Sequence, residues 1–396
     1  NRFLLYFVRP VYNGQELEAS DTAEAWVTNY LSIPLQSPEG HFPNDVSVGD
    51  LDGDGDYELV VHQSGRGADN ARAGMTSEPI LEAYDLNGTF LWRINLGVNI
   101  REGAHYTQFM VYDLDGDGKA EVACKTADGT KDGEGKIIGD SSAVYRNPEG
   151  TVVKGIGRND REYERNMSGL ILSGPEYLTI FDGQTGAELV TKDYIPQRHP
   201  DTNSPTPEQI RETWGDDMGN RMDRFLACIA YLDGERPSLV MCRGYYTRTV
   251  IAAWNWRDNE LTPVWIFDSD DGSPGNESYR GQGNHNLSVG DVDNDGKDEI
   301  IYGACVIDDN GKGLYSTGLG HGDAMHFSDL DPDNPGLEVF NIQERFSDAG
   351  ANFRDAATGE ILWKKPSLVS DQQGRDRGEG PGRANSFNID PRYRGS

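Results

Sequence analysis

Short apolar runs along the chain alternate with turns rich in glycine, aspartate and asparagine. The clearest unit spans residues 47–60, SVGDLDGDGDYELV, and its pattern returns from Asp113 and from Asp291. A looser copy begins at Asp329 and a much degraded one at Asp233. An apolar or alternating run enters each acidic turn and a β-branched run leaves it. The repeated unit is therefore predicted to be a strand, an acidic loop and a second strand.

A second pattern alternates with the first and predicts hairpins with polar turns. It occupies residues 83–92, 180–190, 254–265 and 353–363. One acidic hairpin and one such outer hairpin together make a four-stranded sheet, the size of one blade of a β-propeller. The predicted fold class is therefore all-β, a β-propeller. Its five recognisable blades lie near residues 41–100, 101–195, 225–270, 282–320 and 323–366.

The two ends of the chain differ from this repeat. Residues 1–36 are predicted to be the end of a small N-terminal β domain, and residues 37–396 the propeller. Propellers close with typically four to eight blades, so we expect closure to depend on sequence beyond Ser396. Residues 141–168 and 197–221 are expected to be insertions. The second insertion holds the one convincing helix start, Pro207 after Thr206 as N-cap, which predicts a helix over 207–214.

The composition excludes some classes of partner. Asp plus Glu outnumber Lys plus Arg by 66 to 36, a net charge of −30, which argues against nucleic acid. The longest apolar run, Phe3 to Val8, is far too short to span a bilayer. Buried free thiols are the favoured interpretation of the cysteines, with disulfides as the alternative. These cysteines are Cys124, Cys228, Cys242 and Cys305.

The acidic loops have the donor spacing of calcium sites. Carboxylates stand at positions 1, 3 and 5, a glycine at 6 and a glutamate at 9, and Ca²⁺ prefers six to eight oxygen ligands. An EF-hand is excluded because its glutamate stands at position 12. The residue at position 7 of each regular loop is counted among the expected ligands because calcium also accepts a carbonyl oxygen. The alternative is a solvated acidic turn without metal. The expected ligands are Asp50, Asp52, Asp54, Asp56 and Glu58; Asp113, Asp115, Asp117, Lys119 and Glu121; Asp291, Asp293, Asp295, Lys297 and Glu299; and Asp329, Asp331, Asp333 and Glu338.

Polar residues recur six positions before the first aspartate of each clear loop. If the strand entering each loop is the innermost of its blade, these residues form a ring at one channel mouth, which suits a sugar or acid ligand. The alternative is that they satisfy turns or bind the loop metals. The spacing of His321 and His326 can itself hold a metal. The ring positions are Asn44, Thr107, His285 and Asp323, flanked by His105, Tyr106 and Asn284.

Arginines at turns are candidates for binding an anionic group of a ligand. The alternative is that they form internal salt bridges. They lie in the segments 243–249 and 374–383. The chain has no Gly-x-Ser-x-Gly elbow, no P-loop and no His-Glu-x-x-His motif. These absences argue against hydrolases with that elbow, P-loop NTPases and zincins.

Five long motifs resemble the family 11 polysaccharide lyases, the rhamnogalacturonan lyases of pectin-degrading bacteria. The motifs are residues 99–121, 172–179, 243–250, 281–289 and 318–326. The resemblance implies an eight-bladed calcium-binding propeller that cleaves the rhamnogalacturonan I backbone by β-elimination, as an endolyase or exolyase. It also implies closing blades beyond Ser396 that supply a basic catalytic residue. Asn44 matches a substrate-contacting position of the family and Arg383 a basic one, while Gln63-Ser64 replaces the Trp-Asp of some members.

This chemistry assigns roles to residues of the chain. β-Elimination removes the C5 proton of a uronic acid and expels the oxygen on C4, so the C6 carboxylate must be neutralised by calcium or arginine. Arg383 and His285 are the candidates for catalytic residues. We expect a monomer that is secreted, periplasmic or on a bacterial cell surface and acts on pectic polysaccharide. The alternative function is a non-catalytic calcium-binding propeller that binds carbohydrate or protein.

Overall fold

The computed structural model describes residues 5–12, 14–24, 28–156, 162–344, 347–367 and 383–387. Short strands at the N-terminus pair as two small antiparallel ladders, β1 with β4 and β2 with β3. Their bounds are β1 (Leu5–Tyr6), β2 (Val11–Tyr12), β3 (Gln15–Glu16) and β4 (Ala23–Glu24). The assignment of residues 1–36 to a separate domain stays a prediction.

Five four-stranded antiparallel sheets follow within the described residues; four lie inside the ranges predicted from the repeat, and the fifth begins one residue before its range, at Gly322. Every sheet is a meander whose strands hydrogen-bond in chain order, except that a hairpin interrupts the second. The strands are β5 (Phe42–Gly49), β6 (Glu58–Ser64), β7 (Ile80–Tyr84) and β8 (Phe90–Asn95); β9 (Phe109–Tyr112), β10 (Glu121–Thr126), β13 (Tyr177–Phe181) and β14 (Glu188–Asp193), with the inserted hairpin β11 (Val152–Ile156) and β12 (Glu162–Asn166); β15 (Phe225–Ala230), β16 (Ser238–Arg243), β17 (Val250–Arg257) and β18 (Glu260–Asp268); β19 (Ser288–Gly290), β20 (Glu299–Ile301), β21 (Cys305–Ile307) and β22 (Gly313–Ser316); and β23 (Gly322–Ser328), β24 (Glu338–Gln343), β25 (Ala351–Asp355) and β26 (Ile361–Lys365).

Neighbouring sheets pack face to face through apolar side chains. Val122 and Phe181 of the second sheet join a cluster with Leu81 of the first, while Ile180 on the opposite face packs with residues of the third. Similar clusters lie between the third and fourth and between the fourth and fifth sheets. The middle sheets therefore bury both faces, and their strands read as near-continuous apolar runs.

The two outermost sheets differ from the middle ones. Phe42, Val46 and Val48 on β5 are exposed, as are Leu362 and Trp363 on β26. These strands belong to the first and the fifth sheet, which each have only one neighbouring four-stranded sheet within the described chain. Their outer apolar faces are left without cover there.

Two further sequence predictions are confirmed. The helix α1 (Pro207–Trp214) begins after Thr206, whose hydroxyl accepts from the Gln209 amide while the Gln209 side chain accepts from the Thr206 amide. A short 3₁₀ turn also lies at Asn276–Tyr279. All four cysteines are buried free thiols. Within the described chain, no helix has both the length and the apolar character of a membrane span.

The two ends of each sheet present different chemistry. The first and second strands of a sheet are joined by the acidic loop, so all acidic loops lie at the ends of the first strands. The first strands of successive sheets are in contact, β5 with β9, β9 with β15 and β15 with β19. Residues six positions before a loop lie about 20 Å away along an extended strand. The predicted ligand positions are thus separated from the acidic loops by the length of a strand.

Candidate functional site

The three regular acidic loops share one backbone geometry. The first aspartate of each accepts backbone N–H bonds from within its own loop: Asp50 Oδ1 from Gly53 at 2.7 Å and Oδ2 from Gly55 at 2.9 Å. The glycine at position 6 has a positive φ in all three, for example 93° at Gly55. Positive φ also occurs at position 4, including Asn294 at 63° in the third loop. These turns direct several carboxylates toward one point.

The glutamate at position 9 is the buried member of each loop. Glu121 Oε2 accepts the Leu114 amide at 2.9 Å, and Glu299 Oε2 accepts the Val292 amide at 2.8 Å. Burial raises the pKa of Glu121 to about 8 and that of Glu299 to about 7. Donor atoms of Asp50, Asp52 and Glu58, and of the corresponding residues of the second loop, lie within 4.8 Å of one another. The loops therefore have a donor set suited to a hard cation.

Lys119 and Lys297 could contribute only a backbone carbonyl, because an ammonium group donates and cannot bind a cation. The ammonium of Lys297 pairs with Asp309 at 3.0 Å, and that of Lys119 donates to Gln184 at 3.3 Å. In the looser fourth loop, Glu338 Oε2 still accepts the Leu330 amide at 2.9 Å. The extra residue in this loop thus leaves its buried glutamate in the same role.

A second polar cluster lies at the opposite ends of the strands, around the His285 imidazole. Nδ1 of His285 is 3.0 Å from the Tyr245 hydroxyl. Nε2 lies 3.3 Å from Asp323 Oδ1 and 3.3 Å from the Tyr246 hydroxyl. The Tyr245 hydroxyl is also 3.4 Å from Nδ1 of His105. Segments preceding β9 and β19, the turn after β16 and the start of β23 are thereby brought together.

His321 completes this cluster from the start of β23. Its Nδ1 is 2.5 Å from the Gly283 carbonyl, which fixes the proton on Nδ1 and leaves a lone pair on Nε2. That Nε2 is buried and has no hydrogen-bond partner among the described residues, while Glu344 Oε2 lies 3.5 Å away. Donor atoms of His285, His321 and Asp323 lie within 4.8 Å of one another. An orphaned imidazole nitrogen facing a carboxylate and a second imidazole fits a divalent cation.

The surroundings lower the pKa of two imidazoles of the cluster, those of His105 and His321. Burial, followed by the charge of Arg224, lowers the pKa of His105 to about 4. Burial lowers the pKa of His321 to about 4. The hydrogen bond from His285 lowers the pKa of Asp323, which is therefore ionised. A neutral His321 imidazole beside an ionised Asp323 carboxylate has the protonation states in which these groups bind metal.

Arg383 lies at the edge of this cluster, beside a cavity of about 240 Å³. Its guanidinium is exposed and donates to the Asp323 carbonyl at 3.1 Å. The residues on either side of the described segment 383–387 lie outside the described chain, including residues 374–382 of the arginine-containing segment 374–383. The cavity is lined by His285, Asn286, Asp323, Ala324, Met325, His326, Arg383, Ala384 and Asn385.

The other residues predicted to bind a ligand differ in their exposure and in their hydrogen-bond partners. Asn44 is exposed on β5 and donates to Asp45 at 3.2 Å. Thr107 has a buried hydroxyl without a hydrogen-bond partner among the described residues. Tyr106 and Asn284 are buried, with Tyr106 bonded to Arg101 and Asn284 donating to Asn341 at 2.7 Å. The last two side chains therefore lack the exposure that direct contact with a polysaccharide requires.

The metal pair suggested by the His-Gly-Asp-x-x-His spacing is replaced by a different grouping. His326 Nε2 lies 3.0 Å from the Ala384 carbonyl, while His321 faces His285 and Asp323. Successive residues of a strand point to opposite faces, and a register shift interrupts β23 between residues 322 and 324. Sequence spacing alone could not reveal which partner His321 faces.

The arginines of segment 243–249 form internal salt bridges, the alternative left open above. Arg243 is completely buried and bonds Glu176 at 2.6 Å and Asp223 at 3.1 Å. Lys125 joins the same buried network through Glu176 at 2.9 Å. Arg248 pairs with Asp268. Arg243 and Lys125 are therefore buried away from an anionic substrate, and the partly exposed Arg248 is held in its ion pair.

Four residues of the polar cluster were absent from the sequence-based site. Arg224 lies over the ring of Tyr246 at 5.1 Å, directly before β15, and the two tyrosines directly follow β16. The first strand of a sheet starts at the same end of the sheet at which the second strand ends. Polar or basic residues at these two positions were therefore the sequence signal that could have revealed the site. Glu344, which follows β24, offers the same signal. The four are Arg224, Tyr245, Tyr246 and Glu344.

The sequence of the chain matches a model described as rhamnogalacturonan lyase family 11, C-terminal domain, over residues 30–157 and 154–396. The chain therefore belongs to rhamnogalacturonan lyase family 11, and the resemblance drawn from its motifs is confirmed.

Curated relatives carry the same family identity. The chain is 52% identical over 402 residues to rhamnogalacturonan endolyase YesW of Bacillus subtilis (strain 168), an alignment that covers 98% of this chain and 58% of that protein. It is 53% identical over 404 residues to rhamnogalacturonan exolyase YesX of the same organism, covering 99% of this chain and 59% of that protein. The chain thus spans less than two thirds of the length of these relatives.

Solved structures agree with the fold. The crystal structure of the exotype rhamnogalacturonan lyase YesX superposes with a TM-score of 0.80 at 54% identity, over 92% of this chain and 57% of that one. A rhamnogalacturonan lyase of Bacillus licheniformis gives a TM-score of 0.80 at 54% identity, over 92% of this chain and 59% of that one.

Proposed function

We propose that this chain is the catalytic part of a rhamnogalacturonan lyase that cleaves the rhamnogalacturonan I backbone at galacturonate by β-elimination. The observation that carries the proposal is the convergence of Arg383, His285 and Asp323 on one cavity, with His321 behind His285 and Asp323. A positive guanidinium beside a cation-competent group suits an anionic sugar, and the family relatives are named for this polysaccharide.

The proposed chemistry follows from charge. In the elimination a base takes the C5 proton of the uronic acid, negative charge develops on the C6 carboxylate, and the oxygen on C4 leaves with the electrons of its broken bond and takes up a proton. Groups that stabilise the charge on the carboxylate lower the barrier. The exposed Arg383 guanidinium, held by the Asp323 carbonyl, can grip the carboxylate through two N–H donors. His285 is held by Tyr245, Tyr246 and Asp323 and provides a fixed imidazole edge for the sugar.

A divalent cation held by His285, His321 and Asp323 would add positive charge against the same carboxylate. Glu344, 3.5 Å from the lone pair of His321, is a fourth candidate ligand. Two imidazoles widen the choice of ion beyond calcium toward the transition metals.

For the acidic loops we propose calcium, because their donors are oxygens throughout. The five sheets would then be blades of a propeller, with each loop joining its first two strands. Three or four bound calcium ions would relieve the repulsion between carboxylates gathered in each loop. We further propose secretion, because a large pectic polysaccharide lies outside the cell.

Incubation of the protein with rhamnogalacturonan I tests the function. New ultraviolet absorbance from an unsaturated uronate is expected, and Arg383→Ala should lower its rate by about 10²-fold or more without changing the melting temperature. An Arg9→Ala variant, at an exposed arginine of the N-terminal segment, serves as a matched control. Saturable binding of the polysaccharide without any unsaturated product would instead support the non-catalytic alternative.

A further inference from the structure

We propose that Tyr245 is a positioning residue whose single hydroxyl hydrogen couples the tautomer of His105 to cation binding at His285. The proposal rests on the cation site of the proposed function. It also rests on one juxtaposition: the Tyr245 oxygen lies between Nδ1 of His285 at 3.0 Å and Nδ1 of His105 at 3.4 Å. A phenol has one hydrogen to donate, so it can donate to only one of these two nitrogens at a time.

Without a cation, Asp323 determines which nitrogen of His285 carries the proton. Its Oδ1 lies 3.3 Å from Nε2 of His285, so a proton on Nε2 makes a charge-assisted hydrogen bond. Nδ1 of a neutral His285 then carries a lone pair and accepts from Tyr245. The phenol oxygen in turn accepts from Nδ1 of His105, which leaves Nε2 of His105 without a proton.

With a cation on Nε2, the hydrogen bonds reverse. A metal-bound neutral imidazole carries its proton on the other nitrogen, so Nδ1 of His285 now donates to the Tyr245 oxygen. Tyr245 then donates to Nδ1 of His105, and the His105 proton moves to Nε2. Cation binding thus changes the face that His105 presents, from acceptor to donor, at a residue outside the ligand set.

The protons balance through this change. The hydroxyl hydrogen of Tyr245 passes to Nδ1 of His285, and the hydrogen on Nδ1 of His105 replaces it on the phenol. The proton on Nε2 of His285 leaves to solvent, and Nε2 of His105 takes one up. The three groups hold three exchangeable hydrogens before and after, and the net proton release is zero.

The surroundings of Tyr245 favour such a relay. The phenol is buried, and burial raises its pKa far above the ordinary value, so that it remains protonated. Its ring stacks on His321 with 5.3 Å between centroids and an interplanar angle of 7°. Tyr246 provides a contrast, because its hydroxyl faces Nε2 of His285 at 3.3 Å and makes no bond to His105 among the described contacts.

Nitrogen-15 NMR of histidine-labelled protein tests the coupling, since the chain has seven histidines and each tautomer has a distinct pair of ring nitrogen shifts. Spectra are recorded at a pH of about 8, above the ordinary imidazole pKa of about 6.5, first after chelation and then with Ca²⁺ or Zn²⁺. Single His→Gln variants assign the signals. We expect His105 to change from the Nδ1–H to the Nε2–H tautomer when the cation is added.

Two variants separate the relay from general packing effects. Tyr245→Phe should keep the fold, checked by melting temperature, and should abolish the change at His105 while His285 and His321 still respond to the cation. Tyr246→Phe should retain the tautomer change at His105. A His105 tautomer that is the same with and without cation, or that still changes in Tyr245→Phe, would overturn the relay alone. If neither His285 nor His321 responds in the wild type, the cation site and the relay fail together, whereas lyase activity is judged separately.

Discussion

The acidic loops and the histidine cluster are two cation-competent regions built in opposite ways. Each acidic loop takes its donors from one stretch of about nine residues, and its backbone amides bind the first aspartate of the same stretch. The cluster takes its groups from six separate segments that the sheets bring together, including those of Tyr245, His285 and His321. The difference teaches that short-range sites can be recognised as motifs, whereas a site assembled at strand ends depends on the packing of the sheets.

Removal of divalent cations should have the largest effect, and it should act through the loops. Each loop gathers carboxylates that repel one another without metal. A bound ion at 100 times its dissociation constant adds about 2.7 kcal/mol to the free energy of unfolding. We expect chelation to lower the melting temperature by on the order of 10 °C, because 1 kcal/mol corresponds to roughly 2–4 °C for domains of 150–250 residues. Calcium should restore it, as measured by calorimetry. An unchanged melting temperature would remove calcium from the fold.

His321→Ala should affect activity and leave stability nearly intact. The variant removes one of the three side chains proposed to hold the cation, for which we expect a loss of cation affinity or turnover of about 10- to 100-fold or more. The fall in melting temperature on chelation should remain, since the acidic loops are untouched. Rates on rhamnogalacturonan I and calorimetry measure the two effects, with His199→Ala as the matched control. A variant with normal turnover and normal cation affinity would show that His321 is structural.

Glu121→Gln should show the reverse pattern. The side chain keeps its size and its bond to the Leu114 amide but loses the charge that a cation requires. We expect a melting temperature lower by about 2–5 °C in calcium, corresponding to roughly 1–2 kcal/mol, and turnover within about twofold of wild type. Equal losses of activity in this variant and in His321→Ala would mean that the two regions are not independent.

The smallest expected effect concerns how the stability of the metal-free protein depends on pH, because the acidic loops and the histidine cluster should contribute slopes of opposite sign. The pKa of Glu121 rises from 4.5 to about 8, so its contribution to stability is present below pH 4.5 and is lost as the pH rises through 8. The pKa of His105 falls from 6.5 to about 4, so stability is lost as the pH falls from 6.5 to 4. Urea midpoints against pH measure both slopes.

Variants identify the group behind each slope. Glu121→Gln should flatten the curve between pH 4.5 and 8, and His105→Gln should flatten it between 4 and 6.5. A curve that neither variant changes would assign the pH dependence to other groups.

Much of the fold could be predicted from particular stretches of sequence. The repeat fixed the positions of the acidic hairpins, and residues 254–265 are indeed a hairpin, β17 and β18, with Asp258 and Asn259 at positive φ in its turn. The cap at Thr206 located α1. The resemblance in the motifs identified the family, which the match over residues 30–157 and 154–396 confirms.

The site was only partly predictable. His285 and Asp323 share one offset from their loops and do meet, at 3.3 Å. Tyr106, next to Thr107, and Asn284, next to His285, are buried and are bonded inside the protein to Arg101 and Asn341. Arg224 and Glu344 carry no motif, and only the meeting of strand ends places them beside the histidines.

The sequence by itself determined the strands, the acidic loops and the family, because each of these depends on residues that are close along the chain. Turn chemistry, alternation and carboxylate spacing act within about ten residues. The tertiary structure decided which partner His321 faces, which arginines are buried in ion pairs and which phenol lies between two imidazoles. Those contacts join residues as far apart as His105 and Tyr245, and their geometry is set by how neighbouring sheets pack, which no local pattern encodes.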